Sequence, residues 1–123
     1  MTMKIKSYND LDIWKRSIEL VEEIYRLTKT FPKEELYGLT SQMRRAAVSI
    51  PSNIAEGFTR LHDKEYKQFL YIALGSCSEL STQIIIASRL KYLDGNRSDN
   101  LLSDLEIICK MTMSLIKKLN TKY

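Results

Sequence analysis

Apolar residues recur at helical spacing in four stretches of the chain, and short polar breaks separate those stretches. Within each stretch they return every three or four residues, which places them on one side of an α-helix. No segment alternates with the period of two that a half-buried strand requires. The predicted helices cover residues 10–30, 40–60, 63–93 and 98–120. The sequence therefore predicts one domain, residues 1–123, with an all-α fold: an up-down antiparallel four-helix bundle.

The first predicted helix carries two apolar stripes instead of one. The first stripe contains Leu11, Trp14, Ile18, Val21, Tyr25 and Thr28. The second stripe lies beside it and contains Ile13, Leu20, Ile24, Leu27 and Phe31. A helix in an isolated bundle needs only one buried face. Two stripes therefore predict an additional packing surface, although one broad core face would also account for both.

Residues with capping or breaking preferences mark the predicted ends of the helices. Pro32 ends the first helix, because proline disfavours helical geometry in the residue before it. Gly95 is predicted to be the C-cap of the third helix. The residues interpreted as helix N-caps are Asn9 or Asp10, Thr40, Asp63 and Ser98.

The second predicted helix combines an interior proline with a dense row of polar residues. Pro51 removes one backbone hydrogen bond, so a kink is predicted there. At about 100° per residue, the polar residues fall within roughly a quarter of the circumference. The row contains Gln42, Arg45, Ser49, Ser52, Asn53, Glu56 and Arg60. It is interpreted as a polar layer inside the bundle or across a subunit interface, with a ligand or nucleic-acid site as the alternative.

Residues suited to catalysis or metal binding are sparse. His62 is the only histidine, and Thr59 stands three residues before it where a Glu-x-x-His metal motif requires glutamate. A catalytic Ser-His-acid or Cys-His site would also have to use His62, which is interpreted instead as a solvated residue at the start of the third helix. The four glycines are scattered, which excludes a glycine-rich phosphate loop. Cys77 and Cys109 form no Cys-x-x-Cys pair and are predicted to be reduced and structural, with a disulfide as the alternative. The sequence therefore predicts no enzyme activity, no metal and no cofactor.

The charge of the chain is a mild basic excess. The formal net charge is +4, which permits an anionic partner without requiring one. Adjacent residues on a helix point about 100° apart, so Arg44 and Arg45 are expected on different surfaces. The residues assigned to a tentative nucleic-acid surface are Arg44, Arg45, Arg60, Lys64 and Lys67. No signal peptide or membrane span is predicted, so a cytoplasmic location is expected.

Several motifs resemble those of a bacterial four-helix-bundle family, the 23S rRNA-intervening-sequence proteins. The matching motifs are Leu11-Asp12-Ile13-Trp14, Phe31-Pro32-Lys33-Glu34-Glu35, Gly38-Leu39-Thr40-Ser41-Gln42-Met43-Arg44-Arg45-Ala46-Ala47, Ser49-Ile50-Pro51-Ser52-Asn53-Ile54-Ala55-Glu56-Gly57 and Phe69-Leu70-Tyr71-Ile72-Ala73-Leu74-Gly75-Ser76. The resemblance covers nearly the whole chain. It implies a ring-shaped homopentamer of four-helix bundles, which would give the second stripe of the first helix a partner.

The resemblance also bears on function. Some members of the family are encoded in insertions within ribosomal RNA genes. A related branch, the accessory protein of diversity-generating retroelements, binds nucleic acid and a reverse transcriptase through a basic ring surface. The leading hypothesis is a non-enzymatic oligomer that binds RNA or DNA. The alternative is a protein-interaction scaffold whose polar row contacts other subunits or a protein partner, without a role in nucleic-acid binding.

Overall fold

The computed structural model describes residues 7–121, and within that range it contains helices, turns and bends but no strand. Four long helices form the fold: α1 (Asp12–Thr28), α2 (Leu39–Phe58), α3 (Asp63–Arg89) and α4 (Gly95–Asn120). Two short 3₁₀ turns, Tyr8–Asp10 and Lys33–Glu35, precede α1 and α2. The predicted all-α bundle is confirmed.

Each helix packs against the next one along the chain, and α1 also contacts α4. Near the start of α3, the Lys67 ammonium donates a hydrogen bond to Asn120 Oδ1 at the end of α4, over 2.8 Å. That contact is expected between antiparallel neighbours. α2 is assigned as one continuous helix through Pro51, which is buried, and the kink there stays a prediction. The up-down order of the whole bundle likewise stays a prediction.

The predicted N-caps of α1, α2 and α3 are wrong. Ser7, outside the predicted pair Asn9 and Asp10, caps the 3₁₀ turn before α1, and α1 itself begins at Asp12. Thr40 is buried inside α2, whose N-cap position is Gly38. There Glu35 replaces a cap: its Oε1 accepts a hydrogen bond from the Leu39 amide, and its negative charge suits the start of a helix. Asp63 is the first residue of α3 and follows the N-cap position.

The connection between α3 and α4 also differs from the prediction. α3 ends at Arg89, and Lys91 takes a left-handed conformation with φ of 68°. The amides of Lys91 and Tyr92 donate to the Ser88 and Ala87 carbonyls, which is the Schellman pattern that glycine usually supports. Gly95 is therefore not the C-cap of α3 but the first residue of α4. The residue that caps α4 is Asp94, and Ser98 lies buried within the helix.

The hydrophobic core shows which stripe of α1 faces inward. The second stripe is buried throughout, whereas the first stripe is half-buried or exposed except for Thr28. The core positions predicted from the heptad spacing are Tyr66, Leu70, Ala73, Cys77, Leu80, Ile84 and Ala87 in the third helix and Leu101, Leu105, Ile108, Thr112, Leu115 and Leu119 in the fourth. They are buried, apart from the half-buried Tyr66 and Leu115. Buried hydroxyls in the core donate to the carbonyl one helical turn earlier, as Thr112 Oγ1 does to Ile108 over 2.7 Å. Leu11, Trp14 and Val21 of the first stripe pack against the edge of this core, so the first stripe lies at the border between the core and the surface.

Helix α3 is long and apolar enough to cross a membrane, judged by length and composition alone. Within the bundle, however, Leu70, Leu80 and Ile84 of α3 are fully buried. The central helix of a soluble bundle passes the same test, so this property is weak evidence for a membrane span.

Alkaline pH should destabilise the fold through Tyr66. Its ring packs edge-on against Phe58, with centroids 6.1 Å apart, and burial raises the pKa of Tyr66 to about 12. An unfolded tyrosine has a pKa of about 10, so the stabilisation is complete below about pH 10 and is lost as the pH rises through the folded pKa. Denaturant titrations at increasing alkaline pH should show that the free energy of unfolding falls less for Tyr66→Phe than for the native chain. The exposed Tyr71→Phe is the matched control and should retain the native loss.

Candidate interaction surfaces

The polar row of α2 divides into three environments. The first is a polar layer between α2 and α3. Ser49 Oγ lies 2.8 Å from Ser76 Oγ of α3, and one of the two hydroxyls donates to the other. The Asn53 side-chain amide donates to the Ser49 carbonyl over 2.7 Å and to Ser49 Oγ over 2.9 Å. Ser49 and Asn53 therefore have their hydrogen-bond partners within the protomer.

The second environment is the ion pair at the end of the row. Arg60 donates to Glu56 Oε1 over 2.6 Å, and its guanidinium lies over the Phe69 ring at 5.1 Å from the centroid. Both charged side chains are exposed, so the pair adds little to stability. It does fix the direction of the Arg60 side chain at the surface.

The third environment is an open cleft between α2 and α3, with a volume of about 430 Å³. Gln42 and Arg45 line it from α2, and Glu79 lines it from α3. The side chains of Gln42 and Arg45 are exposed, and within residues 7–121 they make no hydrogen bond or ion pair. This part of the row is thus available for contact with another molecule. Ser52, the remaining member of the row, is exposed on the side of α2 that faces α1.

The adjacent arginines serve different helices. Arg44 Nε donates to Thr28 Oγ1 of α1 over 2.9 Å, and the Arg44 guanidinium lies 4.7 Å from the centroid of the Tyr25 ring. Arg44 thereby joins α2 to α1. Arg45 points into the cleft toward α3. The two side chains consequently do not share a surface.

We expect Arg44→Ala to lower the free energy of unfolding by about 1–2 kcal/mol, because it removes a hydrogen bond and a cation–π contact. Urea denaturation would measure this loss. Arg45→Ala is the matched control and should change stability by less than about 0.5 kcal/mol, as is usual for an exposed side chain away from such features. Equal losses in the two variants would contradict the assignment of Arg44 to the α1–α2 contact.

The remaining basic residues lie at one end of the bundle. Arg60 and Lys64 flank the α2–α3 connection, and the hydrogen bond from Lys67 to Asn120 brings the end of α4 beside them. The last turn of α4 adds the exposed Lys117 and Lys118, which the tentative nucleic-acid set omitted. We call Arg60, Lys64, Lys67, Lys117 and Lys118 the basic end. Arg45 lies about 20 Å away along α2, so the five predicted basic residues do not form one surface.

The exposed side of α3 carries several large apolar side chains. Tyr71 and Ile72 are 55% and 51% exposed, and Ile85 and Ile86 are each 42% exposed. Between these pairs lie the small exposed residues Gly75, Ser78 and Thr82. We call these seven residues the outer α3 face. Glu79 is the one charged residue between positions 68 and 88 of the sequence. A helix face with large apolar side chains around small residues is typical of a packing surface.

A second apolar surface lies on another side of the bundle. Trp14, Ile18 and Val21 from the first stripe of α1 meet Val48, Pro51 and Ala55 of α2 in a groove of about 270 Å³. We call it the α1–α2 groove. Here the first stripe of α1 reaches the surface.

Within residues 7–121, no group of three or more histidine, cysteine, aspartate or glutamate side chains is placed to hold a metal ion. A model of the 23S rRNA-intervening sequence protein family matches residues 9–114. The chain belongs to this family. No curated protein sequence matches this family member significantly.

Among solved structures, this 23S rRNA-intervening sequence protein is similar to a Bacteroides thetaiotaomicron protein of unknown function from the S23 ribosomal protein family. The TM-score is 0.77 at 22% sequence identity, over 85% of this chain and 98% of the other. A likeness at that identity extends to the fold. The resemblance stated from the sequence motifs is thus confirmed at the level of family and fold.

Proposed function

We propose that this protein is a non-enzymatic, cytoplasmic homo-oligomer that binds RNA or DNA through its basic end. The outer α3 face is the observation that supports an oligomer. Four large apolar side chains are at least two-fifths exposed there, and Gly75 in their midst has open space around it. The fold of a single protomer therefore does not require glycine at this position. Close approach of a helix from a second subunit does require it.

The two apolar surfaces favour a ring. The outer α3 face and the α1–α2 groove are built from different helices, so a contact that joins one to the other is heterologous. Heterologous contacts with a suitable rotation close into rings. We take the ring to have five subunits, as the family resemblance implies.

A ring would strengthen a modest positive charge. In a cyclic assembly, every copy presents the same end of its bundle toward the same side. The basic ends would therefore combine into one positive field, which attracts phosphate backbones and releases their counterions. Arg60 also lies at this end, and its guanidinium would have to exchange or share its exposed contact with Glu56 to bind a phosphate.

The experiment has two parts. Light scattering of the purified chain should give the mass of an oligomer, and a monomer at all accessible concentrations would refute the assembly. Binding of labelled RNA and DNA should weaken as salt rises. Lys64→Glu should make the slope of the logarithm of the binding constant against the logarithm of the salt concentration less steep, by about one phosphate contact for each subunit that binds. Lys33→Glu reverses an exposed charge before α2, outside the basic end, and serves as the matched control. Absence of binding at low salt would refute the nucleic-acid role alone.

A protein scaffold is the second candidate function, and the α2–α3 cleft favours it. Arg45 and Glu79 line that cleft, and Arg45 has no partner within the described residues. An opposing subunit or a protein partner could satisfy both charges. In that case Arg45→Ala would dissociate the assembly, and neither the native chain nor the variant would bind nucleic acid. If the basic end binds nucleic acid, Arg45→Ala should leave the mass and the binding unchanged.

A further inference from the structure

The two cysteines of the chain meet between α3 and α4. Cys77 on α3 and Cys109 on α4 are both free, and they lie close enough for Cys109 to contribute to the raised pKa of the Cys77 thiol. Both line a groove of about 570 Å³ between the two helices. Cys77 is buried, with 3% of its surface exposed, whereas Cys109 is half-buried. Cys109 is thus the more accessible of the two thiols, and Cys77 is the more deeply buried one.

We propose that Cys77 and Cys109 form an oxidisable dithiol, which hydrogen peroxide converts into a disulfide that joins α3 to α4. The reaction takes place within one protomer. Ser78, Thr82 and Ile85 line this groove and also belong to the outer α3 face, so the groove is open to peroxide in the free protomer and is covered where a second subunit packs on that face. An oxidisable dithiol differs from the sequence-based assignment of the two cysteines to a purely structural role.

The position of the two thiols sets the order of the steps. Peroxide enters through the groove, whose rim includes the hydroxyls of Ser78, Ser81 and Thr82. It oxidises Cys109 to a sulfenic acid and releases one water molecule. The Cys77 sulfur then attacks the Cys109 sulfur, the S–O bond breaks, and a second water molecule leaves. In total two thiols and one peroxide give one disulfide and two waters.

The environment of Cys77 favours Cys109 as the first thiol to be oxidised, and Cys77 must give up its proton when it attacks in the second step. Burial, together with the neighbouring Cys109, raises the pKa of the Cys77 thiol to about 12. Cys77 therefore keeps its proton at neutral pH and is a poor first target for an oxidant. As Cys77 attacks, its proton passes to the hydroxide that leaves the sulfenic acid. The buried thiol supplies both the attacking sulfur and the proton that completes the water.

The disulfide should stabilise the bundle. It closes a loop of about 30 residues, including the turn between α3 and α4, and thereby restricts the unfolded chain. We expect the melting temperature to rise by roughly 10 °C on oxidation and to return on reduction.

The test uses the full chain treated with graded hydrogen peroxide and then analysed by intact mass and thiol alkylation. The expected product is a single chain, not cross-linked to another, whose mass has fallen by two hydrogens. It should have no thiol left to alkylate and a higher melting temperature. Cys109→Ser should keep the Cys77 thiol alkylatable after unfolding and show no rise in melting temperature. Cys77→Ala should stop at oxygen adducts of Cys109.

Two results would overturn the proposal. One is a native chain that keeps both thiols, or only gains oxygen, at peroxide concentrations that oxidise Cys109 in Cys77→Ala. The other is a disulfide formed solely between chains, visible as a dimer on a non-reducing gel.

Discussion

Replacing Gly57 with alanine should lower the free energy of unfolding by about 2 kcal/mol, the largest loss we expect from adding a single methyl group. A Cβ at Gly57 would lie 2.9 Å from Phe69 Cβ and 2.9 Å from Tyr66 Cδ1, both on α3. It would also lie 3.2 Å from the Tyr66 carbonyl oxygen. Cβ and carbonyl atoms move only with the backbone, so α2 and α3 would have to separate locally. The gain in helix propensity, about 1 kcal/mol, offsets only part of that cost.

Thermal and urea denaturation would measure the effect, and a fall of about 8 °C in melting temperature corresponds to the expected loss. Gly95→Ala is the matched control, because a Cβ there meets no atom within 4 Å. That variant should be as stable as the native chain or slightly more stable. A Gly57→Ala chain with unchanged stability would mean that α2 and α3 do not approach closely at this point.

The number of helices and their buried faces could be predicted from spacing alone. Leu70, Leu80 and Ile84 lie on one side of α3 in any helix, and burying that side dominates the energy of packing. The helix ends were less predictable, because capping depends on local geometry that residue type does not fix. Lys91 shows this: it takes the left-handed position of a Schellman motif in place of glycine.

The two stripes of α1 illustrate a second limit. Both have the spacing of a helix face, so the sequence alone could not decide which of them faces the core. The positions of α2 and α4 decide it, and they bury Ile24 while leaving Trp14 half-buried. Part of the first stripe packs against the core as well, which agrees in part with the broad core face, and the additional packing surface stays a prediction.

The polar row shows the same limit at the candidate site. A helical projection groups Ser49 with Arg45, because both lie on one side of α2. It cannot show that Ser76 of α3 reaches Ser49, or that Arg45 has no such neighbour among the described residues. The signal that would have divided the row was the serine at position 76, inside an otherwise apolar stretch. The separation of Arg44 from Arg45, by contrast, follows from the helical rotation alone.

Gly75→Lys should convert the proposed oligomer into folded monomers. The protomer has room for the side chain, because a Cβ at Gly75 meets no atom within 4 Å, and lysine is a better helix former than glycine. The helical circular dichroism signal and the resistance to urea should therefore be kept. In a helix–helix interface the same side chain would place an ammonium among Ile72, Ile86 and the partner, and burying it costs several kcal/mol even where Glu79, one turn further along α3, pairs with it.

Light scattering at matched concentrations would show the change in mass. Ser103→Lys adds the same charge at an exposed position of α4, in the cleft that α4 forms with α1, and should leave the mass unchanged. If both variants keep the native mass, the outer α3 face is not the interface. The α1–α2 groove would then have to account for assembly by itself, through a contact of like with like, and such a contact produces a dimer instead of a ring.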